Sequence, residues 1–153
     1  MRAAQGFAFA FLLAAQLLFA SSAWATHAVP VSSTFTAVGQ ITITNEGVDA
    51  PCIATLVLTT DAAGNVRITQ MTFTTPGSLI CGSFQTERLP WPVVFTGTFG
   101  GAQTANVSSP FGSCSGTLFM SFWSSTATLS GNWGICPVSG TLSISPNFTI
   151  VTP

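Results

Sequence analysis

Four cysteines, one histidine and four carboxylates supply most of the side chains beyond residue 25 that could do covalent, acid–base or metal chemistry. They are Cys52, Cys81, Cys114, Cys136, His27, Glu46, Asp49, Asp61 and Glu87. The cysteines stand 29, 33 and 22 residues apart. Zinc sites use close C-x-x-C pairs, so these spacings speak for disulfides. An even number of cysteines in an exported chain reads as two bridges, with three connectivities possible. The sequential pairing, Cys52–Cys81 and Cys114–Cys136, is the expectation. Each bridge would close a loop of a few tens of residues and contribute about 3–4 kcal/mol in the chain-entropy treatment.

The remaining groups do not assemble into a recognisable site. A catalytic triad needs a base, and His27 stands at the start of the expected mature chain. Glu46, Asp49 and Asp61 fall in turns and form no calcium-loop pattern. A glycosidase pair would need two paired carboxylates, and all four acids sit in predicted turns or loops. No glycine-rich phosphate loop occurs. The chain is therefore expected to be no enzyme and to hold no metal or cofactor. The aromatic residues are the better candidates for contact with something outside the protein. Most are assigned to the core. Trp91, between Pro90 and Pro92, and Trp133, beside Gly131 and Gly134, are the two expected to reach the surface. A sugar ring or an oily ligand would use such an indole.

The elements that must position these residues are strands. Thr34–Val38 and Gln40–Thr44 alternate apolar and polar residues, with a bulge expected at Gly39. Cys52–Thr60 is apolar enough for a central strand. The loop Asp61–Asn65 leads to Val66–Thr74. Leu79–Cys81 is a further short run. Leu89–Pro92 reads as an edge or loop segment, because prolines are excluded from central strands. Val93–Phe99 and Ala102–Ser108 flank a turn expected at Gly100–Gly101. Cys114–Phe122, Thr126–Ser130 and Val138–Ser145 form a meander with turns near Ser124–Ser125 and Gly131–Asn132. The phrase Ser-Gly-Thr-Leu occurs twice in it, at 115–118 and 139–142. Phe148–Val151 is a candidate edge strand. About nine short strands without helical periodicity predict an all-β fold, an antiparallel sandwich or flattened barrel stapled by two disulfides.

Composition bounds the partners. Phe7–Ala20 is an apolar run of 14 residues after Arg2, followed by Ala23-Trp24-Ala25. That is the layout of a secretory signal cleaved after Ala25, and the run is too short to span a bilayer. The domains are then a signal at 1–25 and one β domain at 26–153. Location is expected to be extracellular, cell-surface or periplasmic, with no membrane span after cleavage. The mature chain has two arginines, Arg67 and Arg88, against four acids, and no lysine. Two arginines make no basic patch, which excludes nucleic acid as a partner. Threonine and serine carry the polarity instead, and a weakly charged surface permits self-association.

The order of several short motifs is more specific than any one of them. Ser-Ser-Thr-Phe-Thr-Ala at 32–37 is followed by Cys-Ile-Ala-Thr-Leu from Cys52, Ile80-Cys81 and Leu89-Pro90-Trp91. A third cysteine precedes a hairpin, and the series ends with Cys-Pro-Val-Ser-Gly-Thr-Leu-Ser-Ile-Ser-Pro at 136–146. This order resembles the small secreted bacterial proteins called alkane-oxidation activators (PraB-like), over most of the mature chain. The resemblance implies a secreted, non-enzymatic accessory role in hydrocarbon use at the cell surface or the oil–water interface, and it brings no catalytic residue. The alternatives are a self-assembling structural or biofilm surface protein, joined through strand edges, and a carbohydrate-binding module.

Overall fold

The computed structural model describes residues 26–75 and 80–152. The expected signal, with its cleavage point, and Leu79 lie outside those residues. Eleven strands form: β1 (His27–Val29), β2 (Thr34–Asn45), β3 (Val48–Thr60), β4 (Val66–Thr74), β5 (Gln85–Glu87), β6 (Trp91–Thr96), β7 (Phe99–Ser109), β8 (Gly112–Trp123), β9 (Thr126–Trp133), β10 (Cys136–Ser145) and β11 (Thr149–Val151). A single 3₁₀ turn, Cys81–Ser83, is the only helical element among the described residues.

Eight strands run in the order β7-β6-β4-β3-β2-β10-β9-β8, and β8 pairs back onto β7. Every pairing is antiparallel. The sheet therefore closes on itself as a barrel, and the sandwich alternative falls away. β5 is an extra strand on β7, placed beyond the end of β6. β1 and β11 form a separate two-stranded ribbon. The ribbon covers the barrel end that holds the β3–β4 and β8–β9 turns. There the Ala28 N–H donates to the Gly64 carbonyl and the Phe148 N–H to the Ser124 carbonyl.

Alternation explains the barrel. In β2, Phe35, Ala37, Ile41 and Ile43 are buried while Thr36, Thr42 and Thr44 lie at the surface side. β3 sends Cys52, Ala54, Leu56 and Leu58 inward. A barrel of eight strands has an interior that side chains can fill. Here the filling is Leu, Ile, Phe and Trp, with Asn45 and Thr60 the buried polar residues. The outward residues of β9 and β10 are Thr126, Thr128, Ser130, Asn132, Pro137, Ser139, Thr141, Ser143 and Ser145. Lipid-spanning barrels have the inverse pattern, apolar outside.

Both disulfides are present, Cys52–Cys81 and Cys114–Cys136, each with Cα atoms 5.6 Å apart. The first ties the 3₁₀ turn to β3. The second joins β8 to β10 across the stretch where β9 and β8 no longer pair, since their ladder ends at Met120 and Leu129.

One expected bulge and two expected turns differ in the structure, each for a physical reason. Gly39 stays in register, opposite Leu142 and Ala54, and makes no bulge. A Cβ there would collide with the Thr141 carbonyl, so the glycine serves close strand approach. The β6–β7 turn falls at Gly97, whose φ of +62° suits the left-handed region. Gly100 instead points inward, where a Cβ would meet Phe122, Phe95 and Val93. The β9–β10 turn falls at Gly134–Ile135, so β9 continues through Trp133. Leu89–Pro92 is also corrected. Trp91 opens β6, and Pro92 sits inside the barrel wall opposite Arg67, which a proline near the start of a strand permits.

Candidate functional site

The barrel interior claims both tryptophans expected at the surface. Trp91 and Trp133 are 0% exposed, so neither can touch an outside ligand. Strand parity decides this. Each indole is at an inward position, Trp91 in phase with Val93 and Trp133 in phase with Leu129. Their rings meet edge to face with centroids 5.8 Å apart. Each buried N–H has an acceptor, as buried indoles require. Trp91 Nε1 donates to the Glu87 carbonyl at 2.8 Å, and Trp133 Nε1 to the Ala105 carbonyl at 3.2 Å. The Ala105 carbonyl follows a bulge, where the β7–β8 register shifts between Ala102 and Ala105. Thr104 takes the strain of that bulge at φ +54°. The case for a sugar-stacking site at these two residues goes with their burial.

The titratable residues are dispersed. Among the described residues no three of the metal-ligating types gather into a group. Asp49 accepts from Thr44 Oγ1 at 2.6 Å, and Glu87 from Asn106 Nδ2 at 3.1 Å. Asp61 organises its own loop, accepting from the Ala63 and Asn65 N–H groups and from Asn65 Nδ2. The side-chain bond from Asn65 is the main reason its carboxyl lies below the ordinary value, with the Asn65 backbone bond next. These are local ties between neighbours.

What the structure does gather is apolar surface. After Arg88 the remaining 65 residues, 89–153, contain no charged side chain. Strands β6 to β11 lie wholly in that stretch. On the outer wall of β6–β8, four large apolar residues stand in water: Val94 (58% exposed), Phe99 (67%), Phe119 (56%) and Trp123 (72%). The register makes them neighbours. Val94 is opposite Gly101, which is opposite Phe119. Phe99 is opposite Ser121, so it lies diagonal to both Phe119 and Trp123, within about 7–8 Å on a pleated surface. The wall is stiffened from inside, where Phe95, Phe122 and Phe148 stack in a chain with centroids 5.5 and 5.3 Å apart.

The four residues were open to detection in the strand β8 itself. Leu118, Met120 and Phe122 alternate with Phe119 and Trp123, so apolar residues occupy both parities. One parity faces in, and the other must face out. The other exposed large apolar residues are Val31, Val38 on β2 and, at or beside the turns of the disulfide end, Val48, Phe111 and Ile135.

A family profile described as alkane oxidation protein activator PraA/PraB-like matches residues 1–152. No curated protein and no solved structure matches the chain. Among the described residues, no helix is long and apolar enough to cross a membrane.

Proposed function

This chain belongs to the PraA/PraB-like family of alkane oxidation protein activators, and on that premise we propose that it is a secreted, non-enzymatic accessory protein. It promotes hydrocarbon use by direct contact with an apolar phase, at the cell surface or at the oil–water interface. One observation carries the reading: the five barrel strands β6–β10 carry no charged side chain, and one wall of them exposes aromatic side chains. Exposed apolar clusters of this kind mark contact surfaces. Secretion is supported by the two disulfides, which persist in oxidising compartments. The non-enzymatic part rests on the dispersed acids and on a histidine held in the end ribbon.

Pendant-drop tensiometry against hexadecane tests the reading. The purified protein is expected to lower the interfacial tension further, and faster, than a β-barrel of similar size with a charged surface. Equal curves for the two proteins would remove the basis for the proposal.

A further inference from the structure

We propose that the outer wall of β6–β8 is the face that docks on liquid alkane, with Val94, Phe99, Phe119 and Trp123 in the hydrocarbon and the Ser/Thr wall of β9–β10 left in water. The inference rests on the hydrocarbon reading above and assigns it to a surface.

Three observations choose this occupant. Charge is the first. A lipid headgroup or a charged protein partner would be met by several Lys or Arg; β6, β7 and β8 hold no charged side chain, and the arginine at the border of the wall is Arg67 on β4, opposite Pro92. Area is the second. At about 150–250 Å² per aromatic side chain, the exposures of Phe99, Phe119 and Trp123 leave roughly 400 Å² of ring surface in water. A stable protein–protein interface takes about 800 Å² from each partner, so the rings alone cover about half of one partner's share. Relief is the third. The hollow that Gly101 would leave between Val94 and Phe119 is covered. A Cβ there would meet Thr117 Cγ2 at 2.8 Å and Gln103 Nε2 at 3.1 Å. The rings therefore project from a wall that Thr117 and Gln103 fill in at Gly101, where a slot between Val94 and Phe119 would otherwise lie. A fluid conforms to such projections and needs no socket.

Trp123 makes the docking readable. Among the described residues it is the exposed indole, while Trp91 and Trp133 are sealed in the core. On addition of hexadecane droplets, tryptophan emission is expected to shift to the blue and to lose most of its quenching by acrylamide. Trp123→Phe should abolish that response while adsorption persists. The triple variant Phe99→Ser/Phe119→Ser/Trp123→Ser should partition to droplets at least tenfold less than the parent. The control Val38→Ser/Ile135→Ser, which removes exposed apolar residues elsewhere, should partition like the parent. Urea midpoints of all variants check that they remain folded.

If the triple variant and the parent adsorb equally and both lower the tension, the docking face is wrong and the hydrocarbon reading stands. If the parent itself neither adsorbs nor lowers the tension, the hydrocarbon reading fails and takes the face with it. A doubled mass by sedimentation, with Trp123 already unquenchable in plain buffer, would assign the face to a second copy. A blue shift on phosphatidylcholine vesicles but not on hexadecane would assign it to a lipid surface. Either result overturns the proposal.

Discussion

The buried tryptophan pair and the exposed aromatic wall use the same kind of side chain for opposite ends. Trp91 and Trp133 have their N–H groups satisfied by carbonyls and their rings in edge-to-face contact. Phe99, Phe119 and Trp123 stand mostly in water, where each ring gains little from the folded state. The inner pair therefore stabilises the barrel, and the outer group is tolerated by it. Strand parity separates the two sets, and residue type does not.

The sharpest way to break this contrast is to truncate an inner ring. Trp133→Ala is expected to lose about 3–5 kcal/mol, the usual cost of a large aromatic deleted from a core. Trp91→Ala should lose a similar amount. For a domain holding about 5–15 kcal/mol in total, urea unfolding would show this as a large drop in midpoint. Removing the Cys114–Cys136 staple by double serine substitution should cost about 3 kcal/mol by the chain-entropy treatment, again read in urea. The outer residues should behave differently. Phe99→Ser, Phe119→Ser and Trp123→Ser are each expected to change stability by no more than about 0.5 kcal/mol. A loss comparable with the inner pair at any of them would dissolve the contrast.

The smallest expected effect concerns Asp61. Its carboxyl titrates lower in the folded loop than in the unfolded chain, chiefly through the side-chain bond from Asn65. The unfolded state then holds the proton more tightly. Its contribution is present above the ordinary aspartate range and fades as pH falls through the lowered folded value. Asp61→Asn should be slightly less stable than the parent near neutrality, where the contribution is present, and converge with it in acid, so that its acid-unfolding curve is flatter.

Much of the barrel was legible before the structure. Alternation in Phe35, Ile41 and Ile43 gives the inward face of β2, and β4 falls at Val66–Thr74 as expected. The two bridges pair in sequence order. Closure was not legible, because the β7–β8 hairpin joins neighbours but the ring is completed by β10 pairing with β2, some hundred residues away in the chain. Local punctuation also misled. Prolines around Trp91 and glycines around Trp133 suggested loops, yet the first tryptophan opens a wall strand and the second closes one. Gly100 and Gly101 looked like a turn, but their missing side chains make room for Phe122 inside and Thr117 outside. A glycine's effect on its neighbours is invisible until the neighbours are known.

The closed ladder has a consequence for lifetime. A protease grips its substrate as an extended strand and needs unpaired backbone to do so. Among the described residues the barrel wall is paired from β7 round to β8, except where β8 and β9 part beyond Met120 and Leu129, the stretch that the Cys114–Cys136 bridge crosses. The shortest and least enclosed strands are the three-residue β1, β5 and β11. For any protein that works outside the cell, where a nicked molecule is not resynthesised in place, such a shape sets durability by architecture. Cleavage should begin at the end ribbon, and the aromatic wall should be among the last parts to go.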